Sequence, residues 1–321
     1  MMIRQPTRWT ACAALFCAAA MAQAQDYPNK PIHLVVPYPP GGGTDVVARA
    51  VAQRLQSGLG QPVVVENKPG ASEIIGTGSV ARAAPDGYTI GLVTSTYSIN
   101  WVLDGGLPYR PAQFSAVAPL VGVPMLALVP AGSPHADLAA LIAASKRSPG
   151  RMNYASLGPN SLQAMSSEWL KHLSGADLTA VAYKGAAPAL VALSTGEVDF
   201  AFAGLGASRA LLDAGKLRPL AVSTRKAFSA MPALGAVAAD VPGFDIQIWY
   251  GVVAPAGVPK AILQKLNTAL SDLAGDAQMQ RQFTDLGNVP MAMGLDEFSA
   301  FLAQDAQLWR DIITAAGIKP Q

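Results

Sequence analysis

Residues 31–45 read Pro31-Ile32-His33-Leu34-Val35-Val36-Pro37-Tyr38-Pro39-Pro40-Gly41-Gly42-Gly43-Thr44-Asp45. The run from Ile32 to Val36 is short and apolar, the pattern of a strand buried in a parallel sheet. The prolines and glycines of residues 37–43 end it in a loop. Val46, Val47, Ala50, Val51, Arg54 and Leu55 then recur at helical spacing, and the helix stops near Gly58 and Gly60. Working outward, Val63-Val64-Val65 is the next strand and Lys68-Pro69-Gly70 the next turn. A helix through Val80 and Ala83, the turn Pro85-Asp86-Gly87 and a strand from Tyr88 to Val93 complete a βαβαβ pattern. Strands alternating with helices predict a mostly parallel sheet with right-handed crossovers.

The same grammar restarts after Pro124. Met125 to Val129 reads as a strand, Ala136 to Ser148 as a helix stopped by Pro149-Gly150, and Asn153 to Ser156 as a strand running into a loop. A helix through Trp169 and Leu173, a strand from Thr179 to Ala182, a helix from Ala187 to Leu193 and a strand from Val198 to Ala203 follow. A helix from Ser208 to Ala214 and a strand from Leu217 to Val222 close this half. Ile246 to Val253 is a strand passing back out, and helical patterns over 260–274, 277–286 and 296–316 finish the chain. The count predicts two α/β domains: residues 25–122 with 251–321 as one lobe and 123–250 as the other. The crossings are expected near Val121–Pro124 and Trp249–Val252.

Composition narrows the function. Among 321 residues, 51% are hydrophobic and 14% charged, against a usual charged share of about 25%, which excludes a disordered chain. Arg4 and Arg8 precede the apolar run Ala11 to Met21, and Ala22-Gln23-Ala24 follows, the layout of a cleavable secretory signal over residues 1–24. Cleavage there removes two arginines and takes the formal charge from +2 to zero. Both cysteines, Cys12 and Cys17, leave with it, so disulfides and thiolate chemistry are not expected. Without a basic block, nucleic acid is not an expected partner. The later apolar stretch from Ala116 to Ala131 is broken by Pro119, Pro124 and Pro130, so it does not read as a membrane span. An exported protein of the periplasm is the expectation.

The glycine loop carries the chemistry. Glycine lets backbone approach a ligand closely, and the first N–H groups of the following helix have no partners in the chain and favour negative charge. A carboxylate or phosphate is the natural guest, although the loop reads equally as a turn whose Thr44 or Asp45 caps a helix. A phosphate-binding P-loop needs Gly-Lys-Ser/Thr, and Gly43 is followed by Thr44-Asp45. A dinucleotide fingerprint wants a small residue where Val46 stands, despite Glu66 at the end of the second strand. No Gly-x-Ser-x-Gly elbow and no His pair at i, i+4 occurs, and His33, His135 and His172 are scattered. Ser223-Thr224-Arg225-Lys226 fits Ser-x-x-Lys without its companion motifs. No catalytic nucleophile, metal or cofactor is therefore expected. Further polar loops follow strand ends at Thr94–Tyr97, Ser156–Ser161, Tyr183–Ala186 and Gly204-Leu205-Gly206, where open α/β sheets place their ligand crevice.

These motifs resemble one family. Tyr27-Pro28-Asn29-Lys30-Pro31-Ile32, the loop Val36–Asp45, Gly60–Ala71, Ala84–Thr89, Asn153–Ser156, Tyr183-Lys184-Gly185, Gly196–Asp199, Ala214–Arg218 and Ala254–Gly257 occur in the order seen in Bug receptors. These are the TctC-like substrate-binding proteins of tripartite tricarboxylate transporters. The resemblance implies a periplasmic-binding-protein type II fold, two α/β lobes with a ligand cleft between them. It implies a monomeric receptor that takes a small organic acid by hinge closure and presents it to transporter membrane subunits. The residues expected to line the cleft are Tyr38, Pro40, Gly41, Gly42, Gly43, Thr44, Asp45, Ser95, Thr96, Tyr97, Ser156, Gly158, Ser161, Tyr183, Lys184, Gly185 and Ala186. The alternatives are an orphan carboxylate sensor and a secreted hydrolase or lyase using the same cleft. The chain departs from the family pattern at Tyr97, where His is usual, at Ala164 and Asn160, at Ala203-Gly204, which lack an acid, and at Gly70-Ala71-Ser72-Glu73-Ile74-Ile75-Gly76, usually Gly-Ala-Gly-Gly-Asn-Ile-Gly.

Overall fold

In the computed structural model, which describes residues 27–103 and 106–318, two strands carry the architecture. The expected signal and both cysteines lie outside the described residues. The first long strand, β4 (Phe114–Pro130), is a single element of 17 residues, although its prolines broke it into pieces in the sequence reading. The second, β9 (Gln247–Pro255), runs antiparallel beside it from Phe114↔Pro255 to Pro124↔Gln247. Beyond Pro124 the partners of β4 change. Residues 125–128 pair with β7 (Phe200–Gly204) on one side, and residues 126–130 pair with β8 (Leu217–Val222) on the other.

The proline-rich strand survives because its irregularities are paired elsewhere. Proline donates no ladder bond and is tolerated at bulges and edges. The register against β9 shifts between Ala116 and Ala118 and again between Pro119 and Val121. Each bulge leaves a carbonyl without a β9 partner. The Val117 carbonyl accepts from Asn267 Nδ2 at 2.7 Å, and the same amide reaches Met293 O at 2.9 Å. The Leu120 carbonyl accepts from the Met291 amide at 3.0 Å.

On one side of this pair, β2 (Val63–Asn67), β1 (Ile32–Val36) and β3 (Thr89–Thr94) form a parallel run whose edge meets β9 antiparallel. On the other side, β5 (Asn153–Ser156) lies parallel between β7 and β6 (Thr179–Ala182). Helices cover both parts. α1 (Gly43–Leu59) lies on β1 and β2, while α9 (Lys260–Gly275) packs on β4 and α1. The last helix, α11 (Leu295–Ala315), packs on β4 and α3 (Ser95–Leu103). The three C-terminal helices, including α10 (Ala277–Asp285), fall where the periodicity placed them.

Ser223 closes the crossing. Its buried hydroxyl donates to Ile246 O at 2.7 Å and accepts from the Met125 amide at 3.0 Å, tying the chain before β9 to β4 where β4 changes partners. This accounts for Ser223 without the chemistry its Ser-x-x-Lys match evokes. Asn267→Ala would leave the Val117 carbonyl buried and unpaired, which costs about 1–3 kcal/mol. Urea denaturation should show a lowered midpoint with unchanged slope, and Asn267→Gln should not restore it, because the longer side chain displaces the amide.

Candidate functional site

A cavity of about 190 Å³ opens between the two parts of the sheet, and three helices begin at its wall. α1 presents Gly42, Gly43 and Thr44. α6 (Ala186–Thr195) presents Gly185, Ala186 and Ala187. α7 (Leu205–Asp213) presents Gly204, Gly206 and Ala207. Each helix has a glycine at its N-cap and no side-chain cap bond; in α7 the Gly206 amide donates to the Leu286 carbonyl at 3.0 Å, and no capping side chain claims the other first-turn amides. In α1 the first backbone bond is Val46 N to Gly42 O at 3.0 Å. The helix starts are close together: a Cβ built on Gly43 would lie 3.9 Å from the Ala207 amide nitrogen, and one on Gly185 3.5 Å from Pro39 Cγ. Gly185 sits at φ +126°, which a side chain rarely adopts, so the backbone itself calls for glycine there.

Polar side chains complete the wall. Tyr38 and Tyr250 stand on the β1–β9 side, and Gln163, from α5 (Leu162–Ser174), on the other. The Gln163 Oε1 is buried without a hydrogen-bond partner. Lys184 lies at the mouth, exposed and in none of the ion pairs among the described residues. A second cavity of about 430 Å³ adjoins the first and shares Tyr38, Pro39, Leu157, Lys184 and Gly185 with it. Its far wall is Gly70, Ala71, Ser72 and Glu73.

Of the residues expected from sequence, Tyr38, Pro40, Gly42, Gly43, Thr44, Lys184, Gly185 and Ala186 meet at the first cavity, and Tyr183 lines the second. The others are placed differently. Gly41 and Asp45 frame the loop from behind: the Asp45 carboxylate accepts from the Gly41 amide at 3.0 Å, Arg49 Nε at 2.9 Å and Asn67 Nδ2 at 2.9 Å. Burial pushes the Asp45 carboxyl up, but the bonds from Arg49, Gly41 and Asn67 hold it below the ordinary carboxylate range. A paired anion turned from the cavity does not oppose an anionic guest.

Thr94–Tyr97 is not a loop. α3 begins at Ser95 directly after β3, and the helical turn carries Tyr97 into the core. The ring of Tyr97 is fully buried and packs on Trp101 at 4.3 Å and edge-on to Phe114 at 5.4 Å between centroids. Ser95 and Thr96 are buried with it; the Ser95 Oγ accepts from the Trp249 amide at 3.2 Å. Ser161 caps α5, its Oγ accepting from the Ala164 amide at 3.3 Å. Ser156 faces a separate recess beside Asn160 and Glu168. Gly158 stands at the rim, where a Cβ would lie 2.9 Å from Ser72 Oγ.

Sequence reasoning left Gln163 and Tyr250 out. Both lie inside regular elements rather than in loops, and only the crossing of β9 and the start of α5 bring them to the cleft. Gly204-Leu205-Gly206 carried the signal for the third helix start.

Residues 47–318 match the model of the tripartite tricarboxylate transporter family receptor. Protein BugT of Bordetella pertussis is 33% identical over 321 residues, with 98% of each chain covered. Among solved structures, R. palustris Rpa4515 with adipate has a TM-score of 0.89 at 33% identity, covering 92% of this chain and all of that one. MatC of Rhodopseudomonas palustris with bound malate has a TM-score of 0.84 at 29% identity, covering 89% of this chain and all of that one. The fold is that of the periplasmic binding proteins, two α/β lobes around a ligand cleft, and the chain belongs to the TctC family of solute-binding receptors.

Proposed function

We propose that the protein is a periplasmic receptor that captures a small organic carboxylate by closure of its lobes and delivers it to the membrane subunits of a tripartite tricarboxylate-type transporter. The observation that carries the reading is the meeting of three glycine-capped helix starts around one cavity. Amide donors and the positive ends of helix dipoles favour an anion there. The adipate and malate bound in two relatives support the same ligand class. Among the described residues no helix is long and apolar enough to cross a membrane.

The magnitudes suffice. A hydrogen bond to a charged group contributes about 1.5–3 kcal/mol, and micromolar affinity needs about 8 kcal/mol. A carboxylate meeting a few of these amides, with Tyr38 and Tyr250 covering its body, reaches that range. Lobes divided as 25–122 with 251–321 and 123–250 are supported by the change of partners along β4 after Pro124. The ligand favours closure because α1 lies on one lobe and α6 and α7 on the other, so all three contacts exist only when the lobes meet.

Gly42→Val tests the seat. Gly42 has φ −80° and ψ 168°, open to any residue, and its Cβ would meet only Pro39 O at 4.0 Å. The fold should tolerate the change, with a melting temperature within a few degrees of wild type. Overfilling a packed space costs about 1–3 kcal/mol, so affinity for adipate or malate by calorimetry should drop roughly ten- to hundredfold; an unchanged value removes the loop from the site. Native mass spectrometry of unrefolded protein should show a retained acid, and prolonged incubation should return that acid unaltered. A changed product would favour the hydrolase or lyase reading instead.

A further inference from the structure

Glu73 is a buried acid whose pairing is incomplete. It stands at the end of three successive residues with left-handed backbone, Ala71 at φ 47°, Ser72 at 47° and Glu73 at 74°. None is glycine, so the turn carries strain that the surroundings must hold. Asn100 Nδ2 donates to Ser72 O at 2.8 Å and fixes the turn from α3. The result is a carboxyl group only 2% exposed, on the wall of the cavity adjoining the helix starts. Its Oε1 accepts from Tyr38 Oη at 2.6 Å and from the Thr94 hydroxyl. Its Oε2 is buried with no partner.

An ionised carboxylate in this place is poorly supported. The groups facing it are Tyr38 from the β1–α1 loop, Thr94 from β3, Thr96 from α3, Tyr109 ahead of β4 and Tyr250 from β9. All are neutral hydroxyls. No lysine, arginine or histidine pairs with Glu73 among the described residues. A buried charge without a counterion costs several kcal/mol unless it takes a proton. Burial accordingly pushes the Glu73 carboxyl up to about 7, against the pull of the Thr94 and Tyr38 hydroxyls.

Tyr38 links this acid to the ligand seat, because it lines both cavities. We propose that Glu73 couples carboxylate capture to the uptake of one proton, holding Tyr38 while ionised and releasing its O–H to the ligand when protonated. This rests on the carboxylate reading of the cleft. A proton from solvent on Oε1 reverses the 2.6 Å bond: Glu73 donates to Tyr38 Oη, and the tyrosine proton turns to the incoming carboxylate. The same proton removes a negative charge that would repel the anion in the adjoining cavity. The sign follows: Glu73 is protonated below its folded pKa, so binding is strong at lower pH and weakens as pH rises through that value.

Isothermal titration of the full chain with malate and with adipate at pH 6.5 and 8.5 tests this, each in two buffers of different ionisation enthalpy. The protonated fraction of a group titrating near 7 changes about twentyfold over that interval, and affinity scales with the competent fraction. Wild type should lose about twentyfold in affinity at pH 8.5, with heats that differ between buffers by the uptake of up to one proton. Glu73→Gln, neutral at both pH values, should bind with little pH dependence and buffer-independent heats. Wild-type affinity that is equal at both pH values with buffer-independent heats overturns the proposal while leaving the carboxylate reading intact. So does a Glu73→Gln protein that keeps the wild-type slope. No heat from either acid, in either protein at either pH, removes the carboxylate reading and the proposal with it.

Discussion

A helix start without a side-chain cap leaves amide hydrogens seeking acceptors, and this molecule turns three such starts toward one gap, with only the Gly206 amide among them bonded to a carbonyl of another segment. α1, α6 and α7 each begin at a glycine and none receives a side-chain oxygen at its first turn. Three other helices do have side-chain caps: Asp137, Ser161 and Asp276 each accept from first-turn amides. Lack of a side-chain cap is not peculiar to the cleft, since α9 and α11 also start without one; what sets α1, α6 and α7 apart is that their starts meet at one cavity. Backbone amides held by regular elements need no side-chain ordering on binding, so the anion seat proposed above does not require an arginine.

The two kinds of polar group at the cleft behave differently. Asp45 is satisfied by Arg49, Gly41 and Asn67, and remains an anion whose role is to shape the glycine loop. Glu73 is not satisfied, and the strained turn that holds it has no evident purpose in packing alone. Two acids near the same Tyr38, Asp45 through Asn67 and Glu73 directly, therefore divide the work: one fixes backbone, the other stands ready to change charge. Glu73 falls where the pattern that the sequence resembles has a glycine, so a titratable group here occupies a position with left-handed backbone.

Much of the fold is legible in the sequence because the signals are local. Alternating apolar runs and helical spacing locate β1, α1 and the three C-terminal helices within a residue or two. The proline-broken β4 was not legible, since its continuity depends on Asn267 and Met291 arriving from distant elements to pair the bulges. The site divides along the same line. Glycine and proline loops announce helix starts, which is why Gly42, Gly43, Gly185 and Ala186, expected from the sequence, stand at the cavity wall. Gln163 and Tyr250 are placed by tertiary contacts, and Tyr97 was misassigned because β3 passes into α3 with no intervening loop. A side chain one helical turn from a strand end points wherever the helix turns it, which no loop motif encodes.

The antiparallel pairing of β4 with β9 joins segments more than a hundred residues apart, and the helices that cover that pairing come last of all. A ribosome or translocon releasing this polypeptide from its N-terminus exposes β4 long before β9 exists. During that interval Val117 and Leu120 have neither ladder nor Asn267 to satisfy them. Contacts of such high sequence separation form slowly, so this pairing can close only after β9, in the C-terminal third of the chain, has been made.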